Sequence, residues 1–176
     1  MRNFCIAIVL AVPLLISFRP TLDLEREYVK QYLPIAIEES QRSGIPVSIK
    51  IGQALIESGS GSSILAKRAN NHFGIKCKSS WTGSRYFYTD DDRDEYGNLV
   101  PSCFRMYDSA RNSYADHSDF LINSDRYHAL FSIPASDYKA WAEGLMKCGY
   151  ATDPMYARKL IRKIEQHQLF TYDIAN

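Results

Sequence analysis

An excess of charge of either sign is missing from this chain: 21 Lys and Arg stand against 20 Asp and Glu, for a formal net charge of +1. No global field points to nucleic acid or to an acidic membrane surface, so no nucleic-acid partner is expected. Cysteine is scarce as well, with four copies, and no pair of cysteines or histidines has the spacing of a zinc site. Cys5 lies near the N-terminus without the small-residue context of a lipidation site, which leaves Cys77, Cys103 and Cys148. An odd number in an exported chain allows at most one bridge and one thiol left over. Cys77 and Cys103 flank a hairpin-like stretch, which favours them as the pair, with Cys148 a buried free thiol inside a helix. Internal repeats and low-complexity linkers are absent. At 176 residues the chain suits one domain with a full-sized core rather than two.

A second long apolar run is also lacking. The one present, Phe4 to Phe18 behind Arg2, matches the apolar region of a secretory leader and falls short of the ~20 residues of a spanning helix. Pro13 interrupts it, and Arg19-Pro20 follows where a small-residue cleavage site would stand. Residues 1–20 therefore read as a signal peptide or an N-terminal membrane anchor, and 21–176 as the domain. Either way the domain is exported, to the periplasm, the membrane surface or the outside, with the leader as a membrane tether if it stays attached.

What the chain does have is aromatic side chains: 12 Tyr, 8 Phe and 2 Trp within a globular composition of 45% hydrophobic and 23% charged residues. Such rings fill cores or stack on the flat faces of sugars. The organising stretch is Gln53-Ala54-Leu55-Ile56-Glu57-Ser58-Gly59-Ser60-Gly61, the end of an apolar helix, one carboxyl, and a Gly/Ser release. A helix C-terminus carries partial negative charge, so an acid there holds its proton more tightly, as a general acid must.

Periodicity predicts a helix over Leu22 to Ser43, kinked or split at Pro34 and ended by Gly44, then a helix over Val47 to Ser58 with Pro46 in its first turn. Ser62 or Ser63 caps a short helix through Ala66. Ser84 to Thr89 and Leu99 to Tyr107 read as strands around an acidic loop, Asp90 to Asn98, with Pro101 marking an edge or a bulge. Ser109 caps a helix through Leu121, Asp125 to Phe131 forms a short amphipathic turn, and Ser136 caps a helix through Lys147. Asp153-Pro154 opens the last helix, whose buried stripe is Tyr156, Leu160, Ile161 and Ile164. The fold class is α+β, mostly α, with one small β lobe inserted among the helices.

Four segments in register then carry a resemblance: Gln53 to Gly59; Asn70-Asn71-His72-Phe73-Gly74-Ile75-Lys76; Phe104-Arg105-Met106-Tyr107 with Asp116 to Leu121; and Gly149-Tyr150-Ala151-Thr152-Asp153-Pro154-Met155-Tyr156-Ala157. The chain resembles the glucosaminidase domains of bacterial peptidoglycan hydrolases, glycoside hydrolase family 73, over roughly residues 30 to 170. The resemblance implies a lysozyme-like helical lobe, an inserted β-hairpin lobe and a groove between them for a peptidoglycan glycan strand. It implies hydrolysis of the N-acetylglucosaminyl-β-1,4-N-acetylmuramoyl bond without metal or organic cofactor, by an enzyme expected to act as a monomer.

Glu57 falls on the family's catalytic acid. Counting back from Phe104 in relatives points to Asp91 as the assisting carboxylate, with Asp90, Asp92, Asp94 and Glu95 competing, and this sequence departs from members that carry Glu there. Paired carboxylates divide acid and base work across a glycosidic bond; the substrate's own N-acetyl group is the alternative partner. Tyr150 matches a tyrosine that lines the family's catalytic centre. Asn71 and Phe73 are candidate groove residues, although a turn and a core ring account for them nearly as well; Asp153 is a further candidate that a helix cap explains better than ligand binding does. His117 reads as a satisfied core histidine and His72 as loop structure. A lytic transglycosylase or muramidase on the same fold, or a wall-binding module without turnover, are the alternative readings.

Overall fold

The structure, a computed structural model, describes residues 20–173; the leader up to Arg19, with Cys5, lies outside the described residues. Helix α1 (Pro20–Ser43) runs through Pro34 as one helix, and Gly44 ends it at φ +76°, its N–H bonded to the Ser40 carbonyl. Helix α2 (Val47–Glu57) follows after Pro46, which stands just before the first turn rather than within it.

The α2 sequence, VSIKIGQALIE, has apolar residues on every side, and a helix of that kind is central. Val47, Ile49, Ile51, Ala54 and Leu55 are all buried, each large one contributing about 1.5–3 kcal/mol on burial. Around them pack Trp141 and Leu145 from α5 (Tyr138–Lys147) and Leu160 and Ile164 from α6 (Tyr156–Gln166). Gly52 makes the α2–α6 approach possible, because a Cβ there would stand 2.6 Å from Leu160 Cδ1. The start of α2 is capped from the far end of the chain, where Asp173 Oδ1 accepts the Ser48 N–H at 2.9 Å. Glu25 of α1, buried, accepts from His167 Nε2 at 2.7 Å and pairs with Lys163, which ties the first helix to the last.

Helix α3 (Ile64–Ala69) is capped by Ser63, whose Oγ accepts the Ala66 N–H, and runs three residues beyond the predicted end. Helix α4 (Ala110–Ile122) starts at Ser109 as expected, and a 3-10 turn covers Asp125–Ser132. Two predicted caps move. Asp137, not Ser136, accepts the Ala140 N–H at the start of α5. The last helix begins at Tyr156, because the Asp153 carboxylate takes the Met155 N–H and closes a turn ahead of it. Cys148 follows the end of α5 as its cap, half-buried and free.

The β lobe is one antiparallel hairpin, β1 (Arg85–Arg93) with β2 (Leu99–Arg105), in register from Arg85↔Arg105 to Thr89↔Pro101. Pairing then shifts before resuming at Arg93↔Leu99. Asp90, Asp91 and Asp92 thus belong to an irregular part of β1 and not to a loop. The missing N–H of Pro101 sits where regular pairing stops. The turn proper is Asp94 to Asn98, with the Asp94 carboxylate accepting the Tyr96 and Asn98 N–H groups at 2.9 Å each. A Cys77–Cys103 disulfide and the Cys77 N–H to Cys103 carbonyl bond at 2.8 Å fasten the hairpin to the segment after α3. Among the described residues no helix is long and apolar enough to cross a membrane.

Candidate active site

A cleft of about 700 Å³ separates the helices from the hairpin, and its wall includes Glu57, Phe73, Lys76, Asp90, Asp91, Tyr150 and Asp153. Glu57 is the last residue of α2. The backbone turns away immediately after it, through Gly59, Ser60 and Gly61 at φ +54°, +56° and +76°. Ser58 locks that turn, its Oγ donating to the Ala54 carbonyl at 2.6 Å and accepting the Gly61 N–H at 2.8 Å. The carboxyl is left at the cleft wall without the chain covering it.

Burial pushes the Glu57 carboxyl up to about 7, opposed only by a hydrogen bond from the Tyr156 hydroxyl to Oε1 at 3.1 Å. The helix end acts in the same direction as burial. Gln53 Nε2 donates to the Tyr156 oxygen at 3.2 Å, so the phenol's hydrogen is directed at Glu57. Tyr156, read from sequence as a core residue, is therefore also a site residue. Its place in the α6 stripe gave no sign of this beyond its presence in the segment that carries the resemblance.

The hairpin acids separate into three kinds. Asp92 is committed to structure: it accepts from Lys76 Nζ at 2.7 Å and from Ser102 Oγ at 2.5 Å, and these bonds hold it below the usual carboxylate range. Asp94 is committed to the turn, and Glu95 lies exposed beside it, outside the cleft wall. Asp90 and Asp91 reach the cleft, with Lys76 Nζ 3.9 and 3.6 Å from them. The Asp91 side chain is 89% exposed, open to water and to a ligand. Lys76 gathers this charge at the cleft edge, a role the sequence gave no reason to assign.

Tyr150 follows Gly149, at φ +69°, and its hydroxyl lies 2.9 Å from His117 Nε2. Burial lifts the phenol well above its ordinary value, so it stays protonated. Phe73 stacks on the His117 ring, centroids 3.9 Å apart and planes 8° from parallel, and both residues line the cleft. Asn71 does not reach the cleft. Its Nδ2 donates to the Ile75 and Arg105 carbonyls at 3.0 and 2.8 Å and its Oδ1 accepts the Ile75 N–H at 3.1 Å, so the whole amide holds the loop to β2. Asp153 sits on the rim with its carboxylate occupied by the Met155 N–H and by Lys159 Nζ at 2.6 Å. His72 belongs to the loop after α3, as expected, and is buried there in an aromatic cluster, Nδ1 2.7 Å from the Tyr28 hydroxyl. Among the described residues no group of three or more His, Cys, Asp or Glu could hold a metal ion.

A carboxyl poised near neutrality, sharing an open cleft between a helical lobe and a hairpin with further acidic side chains, is the arrangement of a glycosidase. The family model described as mannosyl-glycoprotein endo-beta-N-acetylglucosaminidase matches residues 33–169. The chain belongs to the glucosaminidase family. It is thus a glycoside hydrolase, as the sequence resemblance implied. The peptidoglycan hydrolase FlgJ of Pseudomonas aeruginosa is 34% identical over 150 residues, covering 82% of this chain and 37% of that protein. This glucosaminidase chain therefore spans well under half of that curated relative. Among solved structures, the catalytic domain of the autolysin Auto from Listeria monocytogenes superposes with a TM-score of 0.74 at 25% identity, covering 90% of this chain and 91% of that one. The glycoside hydrolase domain of Salmonella typhimurium FlgJ gives 0.68 at 30% identity, covering 86% and 92%.

Proposed function

We propose that this glucosaminidase is exported through its N-terminal leader and hydrolyses the N-acetylglucosaminyl-β-1,4-N-acetylmuramoyl bond of peptidoglycan. The observation that carries the reading is the Glu57 carboxyl, desolvated to about 7 and sharing one cleft with the exposed hairpin acids. In that state Glu57 protonates the departing glycosidic oxygen, the work of a general acid with a pKa near the operating pH. Asp91, the more open of the two cleft acids, directs water or steadies positive charge at the anomeric carbon, with Asp90 beside it as the second candidate. The Tyr150 phenol, held protonated, holds the sugar by its N-acetyl group. The Pseudomonas aeruginosa relative, named as a peptidoglycan hydrolase, supports this substrate.

Mass spectrometry of the fragments released by the purified chain from sacculi tests the proposal. Hydrolysis at this bond leaves N-acetylglucosamine reducing ends. Anhydro-muramic ends would instead identify a transglycosylase, and equal release by wild type and Glu57→Gln would remove Glu57 from the chemistry.

A further inference from the structure

Lys50 is an amine in an unusual place. It sits in the middle of α2, fully buried, with Nζ 5.5 Å from the centre of the Phe73 ring. A buried cation persists only where neighbours accept its hydrogens. Nζ donates to Ser118 Oγ at 2.7 Å, and Ser118 commits its own hydrogen to the Tyr114 carbonyl at 3.1 Å. The second partner is His117 Nδ1, 2.9 Å away, and the opposite ring nitrogen meets the Tyr150 hydroxyl at 2.9 Å. Glu39 on α1 and Asp119 on α4 favour the Lys50 cation and Arg42 on α1 opposes it, while burial, the largest influence, pulls it down to about 7. Burial and Lys50 together keep His117 neutral.

The hydrogens can be counted along this chain. An ammonium only donates. His117 Nδ1 must then accept, so the single ring hydrogen of the neutral imidazole is on Nε2. That N–H donates to the Tyr150 oxygen, and the phenol's own hydrogen is left pointing away from His117. Tyr150 lines the cleft with its ring 5.4 Å from that of Tyr156 between centroids, and its hydroxyl faces the Tyr156 hydroxyl, which in turn donates to Glu57.

We propose that Lys50 and His117 are positioning residues that commit the Tyr150 phenol to donate its hydrogen away from His117, to the cleft side where the Tyr156 oxygen and the carbonyl oxygen of the substrate's N-acetyl group are its acceptors. The inference deepens the proposed function and rests on its assignment of Tyr150 to the sugar. A neutral Lys50 permits the opposite order: its lone pair accepts from Nδ1–H, Nε2 accepts from Tyr150, and the phenol no longer donates to the sugar. The direction of the whole chain is set by one buried charge that lies two hydrogen bonds and one imidazole ring behind the Tyr150 hydroxyl.

Two readouts on the purified chain test this. In ¹⁵N-histidine-labelled protein at pH 6, His117 carries its hydrogen on Nε2, and Lys50→Met moves it toward Nδ1. On soluble peptidoglycan fragments, Lys50→Met lowers kcat about tenfold with KM within about twofold, short of the hundredfold or more lost with a direct transition-state donor. His117→Gln, whose amide can still donate to Tyr150, keeps kcat within about threefold of wild type, whereas His117→Phe falls at least as far as Lys50→Met. A wild-type His117 with its hydrogen on Nδ1, or a folded Lys50→Met with wild-type kcat, overturns the proposal. Should circular dichroism show Lys50→Met unfolded, equal kcat in His117→Gln and His117→Phe overturns it. Failure of the underlying reading looks different: wild type and Glu57→Gln would then release wall fragments equally, whatever the tautomer.

Discussion

The two acidic regions of this cleft are built on opposite plans. On the helical side one carboxyl stands at the end of α2, half-buried and hydrogen-bonded to the Tyr156 phenol, and desolvation keeps its proton on to about 7. On the hairpin side three aspartates crowd one lysine at the solvent edge, with Lys76 Nζ between 2.7 and 3.9 Å from each. Apolar enclosure favours the neutral acid, and water with a nearby cation favours the anion. The difference in surroundings, rather than in residue type, assigns the donor to one wall and the acceptor to the other.

The largest expected effect breaks the helical side. Glu57→Gln keeps shape and hydrogen bonding but has no proton to give, and hydrolysis of purified sacculi falls by about 10²–10⁴. On the hairpin side the acids should separate by exposure: Asp91→Asn costs about tenfold or more in kcat, while Asp92→Asn, which loosens the Lys76 and Ser102 contacts, costs less. Steady-state rates on soluble glycan fragments rank them, and a larger loss for Asp92 would reverse the assignment.

Stability gives a third contrast. The folded Glu57 pKa, about 7, lies above its ordinary 4.5, so the folded chain binds the extra proton between those values. Its contribution is fully present below pH 4.5 and is lost as pH rises through about 7. Relative to wild type, Glu57→Gln therefore gains on the order of 1–3 kcal/mol at pH 8, an advantage that fades below pH 5. Thermal melts of both proteins across that range check the sign. The smallest effect is at Tyr156: its phenol lowers the Glu57 pKa, so Tyr156→Phe should move the alkaline limb of the pH–rate profile upward by a few tenths of a unit.

Much of this was legible in the chain. Gly44, Ser63, Ser109 and the Gly/Ser release after Glu57 are local signals, and each marks its boundary where the structure has it. The acids of β1 were not legible as strand, because a run of aspartates reads as solvated loop until Leu99 is seen to pair with Arg93. Asn71 looked available to a sugar and is spent on the backbone of β2, a partner 34 residues away. Lys50, between Ile49 and Ile51, gives no signal at all, since its burial comes from α1 and α4 closing over it. The elements follow from local chemistry, whereas the hydrogen-bond chain behind the cleft exists only once distant helices meet.

The central claim is that the helix-end carboxyl is held neutral by its surroundings. Titration of the ¹³C-labelled Glu57 carboxyl by NMR measures this directly in the intact chain. A midpoint near 7 is the predicted result, and a midpoint at the ordinary 4.5 would contradict the account.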